Sequence, residues 1–158
     1  RLGYNYRLDE LSAALGCAQL ERLDDLLDRR KGVADAYQTV LASLSEAIRR
    51  PPRSSGLLKS WFVYVIRLRD YFPPEARTQL MNHLQSEGIG CAPYFPPIHL
   101  QHYLNDRSEH SAGDFPVCER VANRTLALPF FGDLTKETIK HVAGVIADTL
   151  PALSYQSL

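Results

Sequence analysis

Residues 61–68 read Trp-Phe-Val-Tyr-Val-Ile-Arg-Leu, and no other stretch of the 158-residue chain narrows its fold as much. Almost every side chain in it is β-branched or aromatic. Such side chains lose freedom in a helix and pack well on a pleated surface, so the run predicts a buried strand. A lone strand is not stable and needs partners and a covering layer. The flanking segments supply that layer, because their apolar residues recur at helical spacing.

Upstream, residues 9–44 carry Leu23, Leu26, Leu27, Val33, Ala34, Tyr37, Val40, Leu41 and Leu44 at three- and four-residue steps, continued by Ile48. The spacing predicts a long helix. Asp9 suits its N-cap, Gly32 predicts a bend or break, and Pro51 and Pro52 are expected to end it. Its first turns are small (Ala13, Ala14, Gly16, Cys17, Ala18), which lets another backbone approach closely.

Downstream, residues 75–87 read as a helix with Leu80, Met81 and Leu84 on one face and Gly88 as its stop. Residues 89–95 read as a short strand, and Pro116 suits the first turn of a helix over 117–123. Residues 125–128 make a third strand. Thr135 caps a last helix whose buried stripe is Ile139, Val142, Ala143, Ile146 and Leu150, and Pro151 is expected to end it. The predicted class is α/β: a long N-terminal helix, then a small sheet of three short strands covered by helices. Residues 1–50 form the helical segment and 51–158 the small α/β domain. Strand order does not follow from the pattern.

Composition limits the function. Eighteen basic residues balance eighteen acidic ones, so no nucleic-acid or anionic-membrane partner is advertised, although a local basic patch is compatible with the balance. The apolar runs are far shorter than the roughly 20 residues a membrane helix needs. Three widely spaced cysteines (Cys17, Cys91, Cys118) outline no disulfide framework. A cytoplasmic protein is expected.

Common catalytic signatures are absent: no phosphate-cradling glycine loop, no G-x-S-x-G elbow, no H-E-x-x-H. His99, His102 and His110 with Cys118 match no usual metal spacing, and no metal is expected. Tyr94-Phe-Pro-Pro-Ile-His99 is more informative. Two prolines stiffen the backbone, so an aromatic ring and an imidazole are held at low entropic cost. That suits gripping a sugar or a diphosphate, but the residues alone favour a plain proline-rich connection. Gly3-Tyr-Asn-Tyr-Arg7 precedes a helix N-terminus, where amide and guanidinium groups bind phosphate. There too the plain reading, an aromatic lead-in with Asn5 bonding its own backbone, is the simpler one. Lys31, Lys59, Lys136 and Lys140 all read as solvated surface, not as the desolvated nucleophile a Schiff base requires.

Five stretches together resemble the DegT/DnrJ/EryC1/StrS sugar-nucleotide aminotransferases. They are GYNYRLDELSAALGCAQLERLDDLLDRR (3–30), SWFVYVIRL (60–68), GIGCAPYFPPIHLQHY (88–103), FPVCERVANRTLALPFF (115–131) and LTKETIKHVAGVI (134–146). The resemblance implies a pyridoxal-phosphate enzyme of the aspartate-aminotransferase-like architecture (fold type I). Such an enzyme moves an amino group from glutamate or glutamine to a nucleotide-linked keto-sugar. This chain then corresponds to the C-terminal part, a bridging helix plus the small domain, without the large domain that carries the Schiff-base lysine. The resemblance places no catalytic residue in the chain. It implies that Asn5 and Arg7 contact cofactor phosphate, Asn5 across a homodimer interface, and that Tyr94 and His99 line the sugar-nucleotide site. The family often has His-Tyr where this chain has Pro93-Tyr94, a departure that touches the substrate contacts. A non-catalytic binding or assembly module of the same descent is the alternative.

Overall fold

In the computed structural model, residues 3–4, 6–53, 56–102 and 109–154 are described. Asn5 lies outside them. In chain order come α1 (Glu10–Leu20), α2 (Leu23–Val40), a 3-10 turn (Leu41–Leu44), β1 (Ile48–Arg49) and β2 (Tyr64–Leu68). Then follow α3 (Ala76–Ser86), β3 (Ala92–Pro93), a second 3-10 turn (Ile98–Leu100), α4 (Pro116–Ala122), β4 (Thr125–Leu128) and α5 (Lys136–Ser154).

The strong β-run supplies an inner strand of the sheet, but only its Tyr64–Leu68 part is strand; Trp61, expected in it, stands at φ 30° outside it. β2 pairs antiparallel with β1 on one side and β4 on the other, and β3 closes the far edge in the order β1-β2-β4-β3. Opposed residues share a face. Ile48 pairs with Leu68, Ile66 with Leu126 and Tyr64 with Leu128, and all six are buried. That face is covered by a helical layer in which α5 packs on both α2 and α3. Tyr37, Leu80, Leu84, Ile139, Val142 and Ile146 fill the interlayer space. Tyr64 stacks on Tyr37 at 4.8 Å between ring centroids and on Trp61 at 5.9 Å. The Tyr37 hydroxyl donates to the Pro129 carbonyl at 2.9 Å.

Several sequence expectations need correction. The sheet has four strands among the described residues, not three: residues 48–49, expected in helix, pair with β2. Helical geometry therefore ends at Leu44, ahead of the prolines, because Ile48 is buried as a sheet residue facing the helices. No break falls at Gly32, and α2 runs through it as continuous helix. A side chain there would meet open space, while Val33, Ala34 and Tyr37 next to it are buried and anchor the helix across this position. The break falls instead between α1 and α2, where Asp24 and Asp25 in the first turn of α2 favour a new helix start. Pro151 does not end α5. Leu150 and Leu153 are both buried, and their packing carries the helix one turn further. The caps at Asp9 and Thr135 form as expected, each accepting from the backbone N–H three residues on. Gly88 stands at φ +74° just past α3, the left-handed stop that glycine makes cheaply.

α1 stands apart. None of its residues is buried, and Leu11, Leu15 and Leu20 are 85%, 63% and 67% exposed. Among the described residues no helix is long and apolar enough to cross a membrane.

Candidate functional site

The loop after β3 is built into the fold. Pairing of Ala92 and Pro93 with β4 delivers the chain to Tyr94 at the sheet edge. The Thr125 hydroxyl, at the start of β4, donates to the Tyr94 carbonyl at 2.6 Å. The Tyr94 ring stacks on Phe95 at 4.2 Å. The second 3-10 turn then places His99 against α4.

His99 is nearly enclosed, with 9% of its side chain exposed, and its Nε2 lies 2.9 Å from Glu119 Oε1. Glu119 also accepts from the Gly113 N–H at 2.9 Å and the Phe115 N–H at 3.4 Å. Gly113 sits at φ +99°, a backbone state that favours glycine. Phe115 meets His99 edge-on at 4.8 Å and His110 at 4.9 Å. The His99 bond, followed by the Gly113 N–H, holds the Glu119 carboxyl below the usual carboxylate range. An ionised carboxylate only accepts, so His99 Nε2–H donates. In the neutral ring the lone pair then sits on Nδ1, and the imidazole becomes an oriented acceptor.

Residue patterns did not single out Glu119. Its signal was faint: an acidic residue in the first turn of a helix opened by Pro116, four residues after Phe115. In the sequence Thr125 marks only the start of a strand. Sequence spacing cannot show that either one reaches back to a loop 20 or more residues upstream.

Arg7 lies exposed ahead of α1, near the Tyr4–Tyr6 ring pair, whose centroids are 5.7 Å apart. Asp9 takes the Ser12 N–H at 2.9 Å and the Ser12 hydroxyl at 2.7 Å. These bonds hold its carboxyl below the ordinary value. A negative group thus already occupies the helix N-terminus. A phosphate contact in this segment would therefore fall to the Arg7 guanidinium more than to the helix dipole. No hydrogen bond or ion pair joins Arg7 to the 94–100 loop among the described residues.

Lys31, Lys136 and Lys140 are exposed, and Lys31 pairs with Asp35 at 3.1 Å. Lys59 is half-buried. It donates to the Pro52 carbonyl and lies 5.2 Å over the Trp61 ring, so its ammonium is already engaged. No cluster of three metal-ligating side chains exists among the described residues.

The model of the DegT/DnrJ/EryC1/StrS aminotransferase family matches residues 1–147. The chain is 30% identical over 141 residues to GDP-perosamine synthase of Escherichia coli O157:H7, covering 89% of this chain and 36% of that protein. It is 29% identical over 147 residues to the spore coat polysaccharide biosynthesis protein SpsC of Bacillus subtilis, covering 92% of this chain and 38% of that protein. The crystal structure of the aminotransferase TlmJ from Streptoalloteichus hindustanus superposes with a TM-score of 0.81 at 26% identity, over 96% of this chain and 39% of that one. The chain thus spans well under half the length of each relative.

Proposed function

The chain belongs to the DegT/DnrJ/EryC1/StrS aminotransferase family, and we propose that it works as the C-terminal portion of a pyridoxal-phosphate sugar aminotransferase. The amino group passes from glutamate or glutamine to a nucleotide-linked keto-sugar, in a protein that forms a homodimer. Residues 1–50 serve as the bridging segment and 51–158 as the small domain. The single observation that supports this reading from within the chain is the His99–Glu119 network. It fixes an oriented imidazole in the loop that the family resemblance assigns to the sugar side.

Pyridoxal phosphate, when bound, supplies the carbonyl that takes up the amino group and hands it on. The residues of this chain fit its periphery and not its anchoring lysine. Arg7, exposed and cationic, fits a phosphate contact, and Asn5 is proposed to share that role across the dimer. Tyr94 offers a ring face, and His99 Nδ1 accepts a hydrogen bond from a sugar hydroxyl. Neither is asked to act as a general base. The exposed apolar side chains of α1 supply the surface through which a large domain or second subunit docks.

The test is steady-state kinetics on the full polypeptide that contains this chain, with glutamate and a nucleotide-linked keto-sugar. His99→Ala is expected to raise KM for the sugar about tenfold, the worth of one well-placed hydrogen bond, with KM for glutamate unchanged. An unaltered sugar KM overturns the assignment. The rival reading, a non-catalytic assembly module, draws on the unsuitability of the four lysines and on the exposed α1. It is favoured if that polypeptide transfers no amino group and shows no absorbance band of lysine-bound cofactor.

A further inference from the structure

A concave site unrelated to the Tyr94–His99 loop lies at the opposite edge of the sheet. The end of α2, the turn after it and β1 border an open cleft of about 780 Å³. Pockets of roughly 300–1,000 Å³ are of small-molecule size. Arg49, Arg50, Arg53 and Arg69 line it, together with the polar side chains of Gln38, Thr39 and Ser45.

The charge of these arginines is uncompensated. Elsewhere Arg22, Arg29, Arg67 and Arg124 pair with acids, while Arg7, Arg30, Arg77 and Arg120 make no ion pair among the described residues but line no shared cleft with one another. None of the four cleft arginines makes an ion pair among the described residues. In a chain of zero formal net charge, four cations around one hollow are a local excess.

Two of them are also held in place. Arg69 grips the Ser45 carbonyl through Nε at 3.2 Å and Nη2 at 2.6 Å. Arg50 donates one N–H to the Gln38 carbonyl. Gln38, itself buried, donates to the Pro51 carbonyl at 2.7 Å and so fixes the turn that carries Arg50 and Arg53. A guanidinium has five N–H donors, so both clamped arginines keep donors to spare. Close by, the buried Tyr64 hydroxyl has no hydrogen-bond partner among the described residues. The charges of Arg50 and Arg53 reach it and oppose the upward push of burial on its pKa.

We propose that this cleft binds a small molecule through a phosphate or diphosphate group, gripped by Arg49, Arg50, Arg53 and Arg69. Planar guanidinium forks match the oxygens of a phosphate, and clamping two of them beforehand lowers the entropic cost of binding. A cleft of this volume has room for a small ligand. The site does not depend on the catalytic reading.

The test is calorimetric titration of the full chain with inorganic pyrophosphate, at low and moderate salt. Saturable binding is expected, weakened as salt rises. Arg49→Gln combined with Arg53→Gln is expected to weaken it about tenfold or more, the worth of lost charge-assisted bonds. These two side chains make no hydrogen bond or ion pair among the described residues, so the thermal midpoint is expected to hold. Arg22→Gln, whose partner Asp25 lies elsewhere on α2, is expected to change nothing. Absence of saturable binding overturns the proposal, as does equal affinity in the double variant. So does binding lost on His99→Ala but kept in the double variant, which would put the anion at the other edge of the sheet. Stronger binding of a polyglutamate peptide than of pyrophosphate also overturns it, in favour of an acidic protein partner.

Discussion

At the scale of single residues, the decisive side chain is Glu119. It gathers His99 and the 113–115 backbone into one unit, so it fixes the His99 end of the proline-stiffened loop, as Thr125 fixes the Tyr94 end. Its carboxyl titrates lower in the fold than in the unfolded chain, where the value is about 4.5. A depressed carboxylate contributes stability that is complete above the unfolded value and lost as pH falls through the folded one. The melting temperature of Glu119→Gln is therefore expected to lie below that of the parent at neutral pH, and the gap to close as pH drops below about 4.5. A gap of constant size across a pH series of thermal melts would show that the carboxylate charge plays no part. Proline content made the loop legible in the sequence. Its anchor was not, because an acid in a short helix looks the same whether it meets solvent or a histidine.

At the scale of elements, two glycines show how context reverses one substitution. Gly32 sits mid-helix with open space where a side chain would go. Gly32→Ala is expected to stabilise the protein by about 0.5–1 kcal/mol, since alanine loses less backbone entropy on folding. Gly88 holds φ +74° at the end of α3. Gly88→Ala is expected to cost about 1 kcal/mol or more, although nothing crowds the position. Urea midpoints of the two variants check both signs, and shifts in the same direction would contradict the account. The same two positions mark what could be read beforehand. The stop at Gly88 was plain from its place after the apolar stripe of α3. The continuity of α2 through Gly32 was not, because it depends on tertiary packing that buries Val33, Ala34 and Tyr37, with α5 against α2.

At the scale of the whole molecule, the chain divides into a core that closes on itself and a helix that does not. The sheet and its covering helices bury a continuous apolar interior, whereas α1 offers Leu11, Leu15 and Leu20 to solvent. Leu11→Glu with Leu15→Glu is expected to leave the stability of the core within about 0.5 kcal/mol, because neither side chain is buried in it. The pair is expected to disrupt assembly of the full polypeptide, read as a lower mass by light scattering. An unchanged mass would remove α1 from the interface. Five stretches of the sequence carried the family resemblance, which the match over residues 1–147 bears out. Composition and periodicity by themselves determined the α/β class, the strong strand β2 and four of the helices that cover or flank the sheet. These depend on local preference and on which face of a segment is apolar, and both are written residue by residue. Only the tertiary structure decided the strand order, the pairing of Ile48 with Leu68, the bond from His99 to Glu119 and the gathering of four arginines at one edge. Each of these joins groups far apart in the chain, and such contacts are set by how the two layers pack rather than by any local pattern.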